Sequence, residues 1–574
     1  MPSNAASTSS RLAGHVLVEA LVAQGVDTVF GVPGESYLAV LDGFHEHSDK
    51  IRFIACRQEG GAAFMADAHA RLTGRPGVCC VTRGPGATNA SIGVHTAFQD
   101  SVPLILLVGQ VASDQRDREA FQELDYRQVF GPGTLGMAKW VAEVHDANRL
   151  PEYIARAFHV AMQGRPGPVV LALPEDMLTT PTAAPALARA EAVEAWPAPG
   201  ALRELRERLL AAQRPFMIIG GHGWTRDSAL ALQRFAENWQ LPVGCAFRYQ
   251  DGFDNRHPQY AGDVGIAINP ALARRIRDEA DLVLAIGVRL GEMTTSGYTL
   301  LEVPRPRQVL AHLHPGAEEL GRVYQPDVML QASLACAGKA LETLAAPASV
   351  PWSAWTESAH ADYEANRVHP PVEPLDMAVV IKTLERLMPA DTVYTNGAGN
   401  YAGWLHRYLR YRGLALAGKT QLAPTAGSMG YGLPAAVAAS LTQPQRWAVN
   451  LTGDGDFLMN GQELATAWAH GAKRLISIVV DNGTYGTIRM HQERDYPERV
   501  SGTHLANPDF AALARAYGWQ AVTVTRTEEF EPALQAALQA ERPSLLHLKL
   551  DTDVSHTRGT LSQIRATALA KRAR

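Results

Sequence analysis

The stretch WAVNLTGDGDFLMNGQELATAWAHGAKRLISIVVDNGTYG, Trp447 to Gly486, decides the fold. It opens on a short apolar run, Trp447 to Leu451, with the length and character of a buried strand. Gly453-Asp454-Gly455-Asp456 comes next, where two glycines let the backbone turn tightly and approach a ligand closely. Gly461 to His470 reads as a helix with Leu464, Ala467 and Trp468 on one face. A second apolar run, Leu475 to Val480, reads as another buried strand and delivers Asp481-Asn482-Gly483 to its C-terminal end. In an open α/β sheet that edge is where ligands bind. Asp454 and Asn482 lie one strand–helix–strand crossover apart, so adjacent parallel strands can bring them side by side. A carboxylate, an amide oxygen, a loop carbonyl and a glycine-rich loop make a seat for Mg2+ carrying a diphosphate.

Outward from this stretch, the same alternation of apolar runs and helical patterns fills a chain of 574 residues, too long for one hydrophobic core. Strands are expected at Val78 to Thr82, Pro103 to Val108 and Pro168 to Leu173, then at Phe216 to Gly220, Leu282 to Gly287 and Val309 to His314. A last set falls at Thr392 to Thr395, Ala448 to Leu451, Leu475 to Val480 and Leu545 to Leu550. Pro181 to Pro199 and Pro347 to Pro374 read as linkers, which divides the chain into α/β domains at 1–185, 195–346 and 375–574. The first and third share length and alternation, as two related halves around an inserted middle would.

Composition narrows the class. Hydrophobic residues make up 46% and the formal net charge is −5, with no basic stripe, so a globular protein without a nucleic-acid partner is expected. The five cysteines form no CxxC pair, which points to packed thiols in a reducing cytoplasm. No apolar run reaches membrane-spanning length, and Met1 to Ser10 reads as a frayed tail rather than a signal peptide.

GDGDF, QEL and DNGTYG at this spacing resemble the thiamine diphosphate signature of the acetolactate synthase and 2-oxo-acid decarboxylase superfamily. Other stretches match in the family's order. Arg57 to Ala68 resembles the helix whose glutamate, here Glu59, contacts the aminopyrimidine ring, although a Glu at a helix start is ordinarily just a favourable charge. Arg83-Gly84-Pro85-Gly86-Ala87-Thr88-Asn89 matches the GPGATN loop. Glu119 to Glu123 is similar to the pocket-lining AFQE segment, which puts Phe121 and Gln122 on the substrate side; a loop aromatic can also be a satellite contact. Gly399, Asn400 and Tyr401 occupy the place of the diphosphate-contacting loop. By the same resemblance the Gly427 carbonyl accepts from the cofactor's 4′-amino group and Met429 props its rings into a V; read alone, Met429 is a flexible core filler.

The resemblance implies three doubly wound parallel-sheet domains: pyrimidine-binding, middle and diphosphate-binding. It makes Glu59 the catalytic group and Asp454, Asn482 and the Thr484 carbonyl the Mg2+ ligands. Gly453, Gly455, Asp456, Tyr485 and Gly486 complete the cofactor contacts. The implied activity is decarboxylation of a 2-oxo acid such as pyruvate and transfer of the remaining fragment to a carbonyl acceptor. Simple decarboxylation to an aldehyde and a non-catalytic cofactor-binding paralogue are the alternatives. Since Glu59 and the metal seat come from different subunits in this superfamily, a homodimer or dimer of dimers is expected. Three departures bear on specificity. Asn400-Tyr401 stands where biosynthetic members carry Gln-His, and His491, otherwise readable as a surface residue, stands where they carry Trp. Gly262-Asp263-Val264-Gly265-Ile266 replaces the Gly-Met-His-Gly loop of FAD-binding members, so FAD is not expected.

Overall fold

The computed structural model describes residues 10–131 and 136–572; the stretch read as an N-terminal tail lies outside them except for Ser10. The chain divides into two compact units, Met1–Val193 and Glu194–Arg574.

The first unit holds one six-stranded parallel sheet: β1 (Thr28–Gly31), β2 (Arg52–Ala55), β3 (Gly77–Val81), β4 (Leu104–Gln110), β5 (Trp140–Glu143) and β6 (Pro168–Pro174), in the order β2-β1-β3-β4-β6-β5. Strands β3, β4 and β6 are buried at every residue, and continuous apolar runs are what a sheet covered on both faces requires. The second unit holds two more. Its middle sheet comprises β7 (Pro215–Ile219), β8 (Val243–Ala246), β9 (Tyr260–Val264), β10 (Leu282–Ile286), β11 (Val309–His314) and β12 (Val328–Gln331), ordered β9-β8-β7-β10-β11-β12. The last comprises β13 (Val393–Thr395), β14 (Gln421–Leu422), β15 (Ala448–Gly453), β16 (Leu475–Asp481), β17 (Gln520–Val524) and β18 (Ser544–Lys549), ordered β14-β13-β15-β16-β18-β17. The first and last sheets therefore share one strand order, and the middle sheet has the order of dinucleotide-binding folds.

Six helices position the candidate site: α1 (Glu59–Thr73), α2 (Pro85–Asp100), α3 (Gly432–Thr442), α4 (Asp454–Asn460), α5 (Gly486–Asp495) and α6 (Leu561–Arg572). Every expected strand is present to within a residue or two. Those not anticipated include the two-residue β14 and the edge strands β2 and β17, whose half-exposed patterns carry little apolar signal.

Two expectations need correcting. The supposed linker Pro347 to Pro374 contains a helix, Ser353–Asn366, and Tyr363 meets Tyr260 of β9 edge to face at 4.8 Å. Its Ala, Glu and Tyr residues are helix-compatible, and the flanking prolines masked them. The helix expected at Gly461 to His470 begins earlier: β15 passes straight into α4, a 3-10 turn covers Gly461–Glu463, and α-helix resumes over Leu464–Ala469. Leu464 and Ala467 are buried there, but Trp468 is 50% exposed. All five cysteines are buried. No described helix is long and apolar enough to cross a membrane.

Candidate functional site

The parallel pair β15–β16 aligns Gly453 with Val480, so Asp454 and Asp481 leave the same sheet edge on neighbouring strands. Asp454 stands at the start of α4 and is buried. The tight turn expected of the two glycines is absent. Gly453 has φ −78°, and neither it nor Gly455 adopts a left-handed conformation. They are required by close approach: a Cβ on Gly453 would lie 2.8 Å from the Tyr401 ring, and one on Gly455 would lie 2.4 Å from the Tyr485 ring.

Asp454 and Asp481 share donors. The Gly483 amide reaches Asp454 Oδ2 at 3.0 Å and Asp481 Oδ1 at 3.1 Å. Asn507 Nδ2 donates to the same two oxygens at 2.7 and 2.8 Å. Sequence reasoning misses Asn507 because it sits in a polar loop with no periodicity; its one signal is the Asn-Pro pair at 507–508. Burial pushes the Asp454 carboxyl up, and the Asp481 charge adds to this. Burial also acts against charged Asp481, but hydrogen bonds from His547 (2.9 Å) and Asn507 outweigh it and hold that carboxyl low. Nearby, the Asn482 carboxamide has no hydrogen-bond partner among the described residues, while the Asn482 main-chain carbonyl accepts from Thr552 Oγ1. The Thr484 hydroxyl donates to the Thr503 carbonyl, while the Thr484 carbonyl accepts no backbone hydrogen bond.

No cluster of three or more His, Cys, Asp or Glu side chains is placed to hold a metal among the described residues. What the sheet edge offers instead is one carboxylate with an amide and a main-chain oxygen. That all-oxygen set fits a hard cation that keeps water and phosphate ligands, as Mg2+ does.

Asp456 does different work. Its Oδ1 accepts from the Gly430 amide at 2.8 Å and the Ala398 amide at 3.3 Å. Its Oδ2 accepts from Thr452 Oγ1 at 2.6 Å and Tyr401 Oη at 2.7 Å. Burial pushes this carboxyl up against those four donors. Asp456 thus ties together three segments: the loop after β13, the turn before α3, and α4. Tyr401 is buried, and its hydroxyl also accepts from the Gly397 amide at 2.9 Å. Asn400 links the loop to α5, donating from its amide to Thr487 Oγ1 (2.9 Å) and from Nδ2 to Met490 Sδ (3.5 Å). His491 is half-buried one helical turn beyond Thr487, on the same face, and its Nδ1 is enclosed with no hydrogen-bond partner among the described residues. Gly427 is exposed at φ +70°, a conformation that favours glycine, and Met429 is half-buried beside it.

In the first unit, Glu59 opens α1. Gln58 caps the helix by accepting from the Gly61 amide at 2.9 Å. Residues 60–71 of α1 are all buried, and small side chains let α2 close on it: a Cβ on Gly93 would lie 2.3 Å from Ala63 Cβ. Glu59 is half-buried; Asn89 Nδ2 of α2 donates to its Oε2 at 2.9 Å, and a Cβ on Gly86 would come within 3.4 Å of Oε1. The GPGATN loop therefore meets Glu59 as a unit. Gln122, at φ +65°, packs on Gly84, while Phe121 is 70% exposed and its carbonyl accepts from Arg83 Nε at 3.1 Å.

Comparison with known proteins agrees with this geometry. Residues 11–129 match the N-terminal TPP binding domain of thiamine pyrophosphate enzymes, 202–344 the central domain and 397–548 the C-terminal TPP binding domain. The chain is 32% identical over 542 residues to the acetolactate synthase isozyme 2 large subunit of Escherichia coli, covering 93% of this chain and 95% of that one. It is 32% identical over 565 residues to the catabolic acetolactate synthase of Raoultella terrigena, covering 93% and 94%. The acetolactate synthase catalytic subunit of Saccharomyces cerevisiae is 29% identical over 570 residues, covering 94% and 81%. The shared domains, their order and their span together place this chain in the thiamine pyrophosphate enzyme family, among the relatives of acetolactate synthase large subunits.

Proposed function

We propose that the chain is a thiamine diphosphate- and Mg2+-dependent carboligase of the acetolactate synthase type. It takes a 2-oxo acid such as pyruvate, releases CO2 and joins the remaining fragment to a second carbonyl compound. The observation that carries this reading is the all-oxygen set at the ends of β15 and β16, above a floor of glycines held open by Tyr401 and Tyr485.

Bound thiamine diphosphate supplies the electron sink that decarboxylation needs. The protein's part is to seat, orient and exchange protons. Asp454, Asn482 and the Thr484 carbonyl hold the cation, and Asn507 with the Gly483 amide orients Asp454. Asp456 acts one layer below, fixing Tyr401 and the Gly430 turn, so its cofactor role is indirect. Asn89 engages Glu59 Oε2 and leaves Oε1 to carry the proton exchanged with the aminopyrimidine. Gly427 and Met429 set the ring geometry, and Phe121, Gln122 and His491 line the substrate side. Exposed Leu38, Ile92 and Phe121 in the first unit, and Leu458 and Met459 on α4, give both halves apolar surface for a partner copy. A homodimer, or a dimer of dimers, then joins Glu59 of one chain to the metal seat of another.

Mass spectrometry of products from pyruvate, with cofactor and Mg2+ added, tests this. A 2-hydroxy-2-methyl-3-oxo acid or another acyloin is expected. An aldehyde alone replaces ligation with simple decarboxylation, and no product from any 2-oxo acid removes the assignment.

A further inference from the structure

Within the second unit, a cavity of about 490 Å³ is lined by Arg256, Arg367, Lys382, Glu385, Arg386 and Arg410. It lies against the helix Met377–Leu387, next to the ends of the helices Ser353–Asn366 and Ala402–Tyr408. Glu385 is nine-tenths buried and faces three guanidinium groups: Arg410 at 2.7 Å, Arg367 at 3.1 Å and Arg256 at 3.2 Å. Glu364 contacts Arg367 at 3.2 Å and Arg410 at 3.7 Å, and Glu531 takes Arg386 at 2.5 Å. Lys382 has no carboxylate partner among the described residues; its ammonium stands 5.7 Å from the centre of the Tyr408 ring.

Five cations thus face three carboxylates. Arg256 Nη1 and Arg367 Nε are enclosed and have no acceptor among the described residues, and Arg367 itself is nine-tenths buried. An ion-pair knot that merely fastened these segments would gain most from matched charges. Here each guanidinium has a carboxylate within 3.2 Å, but Glu385 is shared among three of them and Lys382 has none, so the cluster keeps a surplus of positive charge whose members repel one another. An anion entering the open side offsets that surplus, and guanidinium forks match the paired oxygens of phosphate better than single-atom anions.

We propose that this cavity is a binding site for a small multivalent oxyanion of the phosphate class, held by Arg256, Arg410, Lys382 and Arg386 around Glu385. It shares no residue with the cofactor site, so its failure leaves that assignment standing. The test is isothermal titration of inorganic phosphate, and separately of diphosphate, into full-length protein preloaded with thiamine diphosphate and Mg2+. Ionic strength is held constant with chloride. One anion per chain is expected. The double variant Lys382→Ala/Arg386→Ala, which changes only exposed side chains, should weaken binding by at least about tenfold, as loss of two charge-assisted contacts implies. Circular dichroism checks that this variant is folded. Heat no greater than that from chloride, or an affinity unchanged in the double variant, overturns the proposal.

Discussion

In the first sheet, the helix after β2 begins with Glu59, a half-buried carboxyl steadied by one neutral amide from α2. In the third sheet, which repeats the same strand order, β15 ends against Asp454, where two carboxylates share an amide side chain and a backbone N–H. The supports differ as well. At the other end of α1 from Glu59, the helix is fastened to α2 by a buried ion triad, with Arg71 between Asp67 and Asp100 at 2.6 Å each. Under Asp454, the buried Asp456 is satisfied by four neutral donors. One scaffold therefore supports two kinds of site. The first presents a single carboxyl with one amide on it; the third presents two carboxylates gathered around shared donors. The strand order supplies the edge, and the few residues after each strand supply the chemistry.

Breaking each half separately sharpens this contrast. The largest effect is expected from Arg71→Met, which removes the cation between two buried carboxylates and should destabilise the first unit by about 3–5 kcal/mol. Denaturant unfolding combined with hydrogen exchange of α1 and α2 reads this out, and the third sheet should keep its protection. Next is Glu59→Gln, expected to cut turnover by at least about a hundredfold, the scale of general acid–base catalysis, with cofactor affinity retained. Steady-state rates and a cofactor titration separate the two effects. Asn507→Ala should weaken Mg2+-dependent cofactor binding by about 10–100-fold, the usual consequence of removing a group that orients a ligand. The same substitution should leave the unfolding of the first unit unchanged.

The smallest effect concerns the middle sheet. Desolvation pushes the Asp263 carboxyl up to about 7, against the pull of Arg248. An acid whose folded pKa is raised is better tolerated protonated, so its destabilising effect is absent at low pH. It develops as pH rises from the unfolded value of about 4 through 7. Asp263→Asn is therefore expected to raise the melting temperature at pH 8 and to change it little near pH 4.

Burial decides how much of the fold is legible in the sequence. β15 and β16 are buried at every residue and are mostly apolar runs, broken by polar residues such as Asn450 and Ser477, and their spacing foretells that Asp454 and Asn482 follow neighbouring strands at one sheet edge. The short or half-exposed strands β14, β2 and β17 carry no such run and give no comparable signal. The glycines of Gly453-Asp454-Gly455 are visible in the sequence, but the tight turn they suggest is not made; two tyrosine rings distant along the chain, Tyr401 and Tyr485, leave no room for a Cβ at either. Asn507 and the Asp456 network are long-range hydrogen bonds between polar residues, and no local pattern announces them. Trp468 has the helical spacing of a core residue, yet the change from 3-10 to α geometry at Leu464 leaves it half outside.

Asp454 anchors the cofactor through a cation, in this account, while Glu59 serves chemistry rather than binding. Calorimetric titration of thiamine diphosphate with Mg2+ into metal-free wild-type protein, Asp454→Ala and Glu59→Gln tests that division of labour most directly. The predicted result is one cofactor per chain for wild type and Glu59→Gln, with binding lost in Asp454→Ala or on chelation of the metal. Equal affinity in wild type and Asp454→Ala, or no binding to the wild type at all, would contradict it.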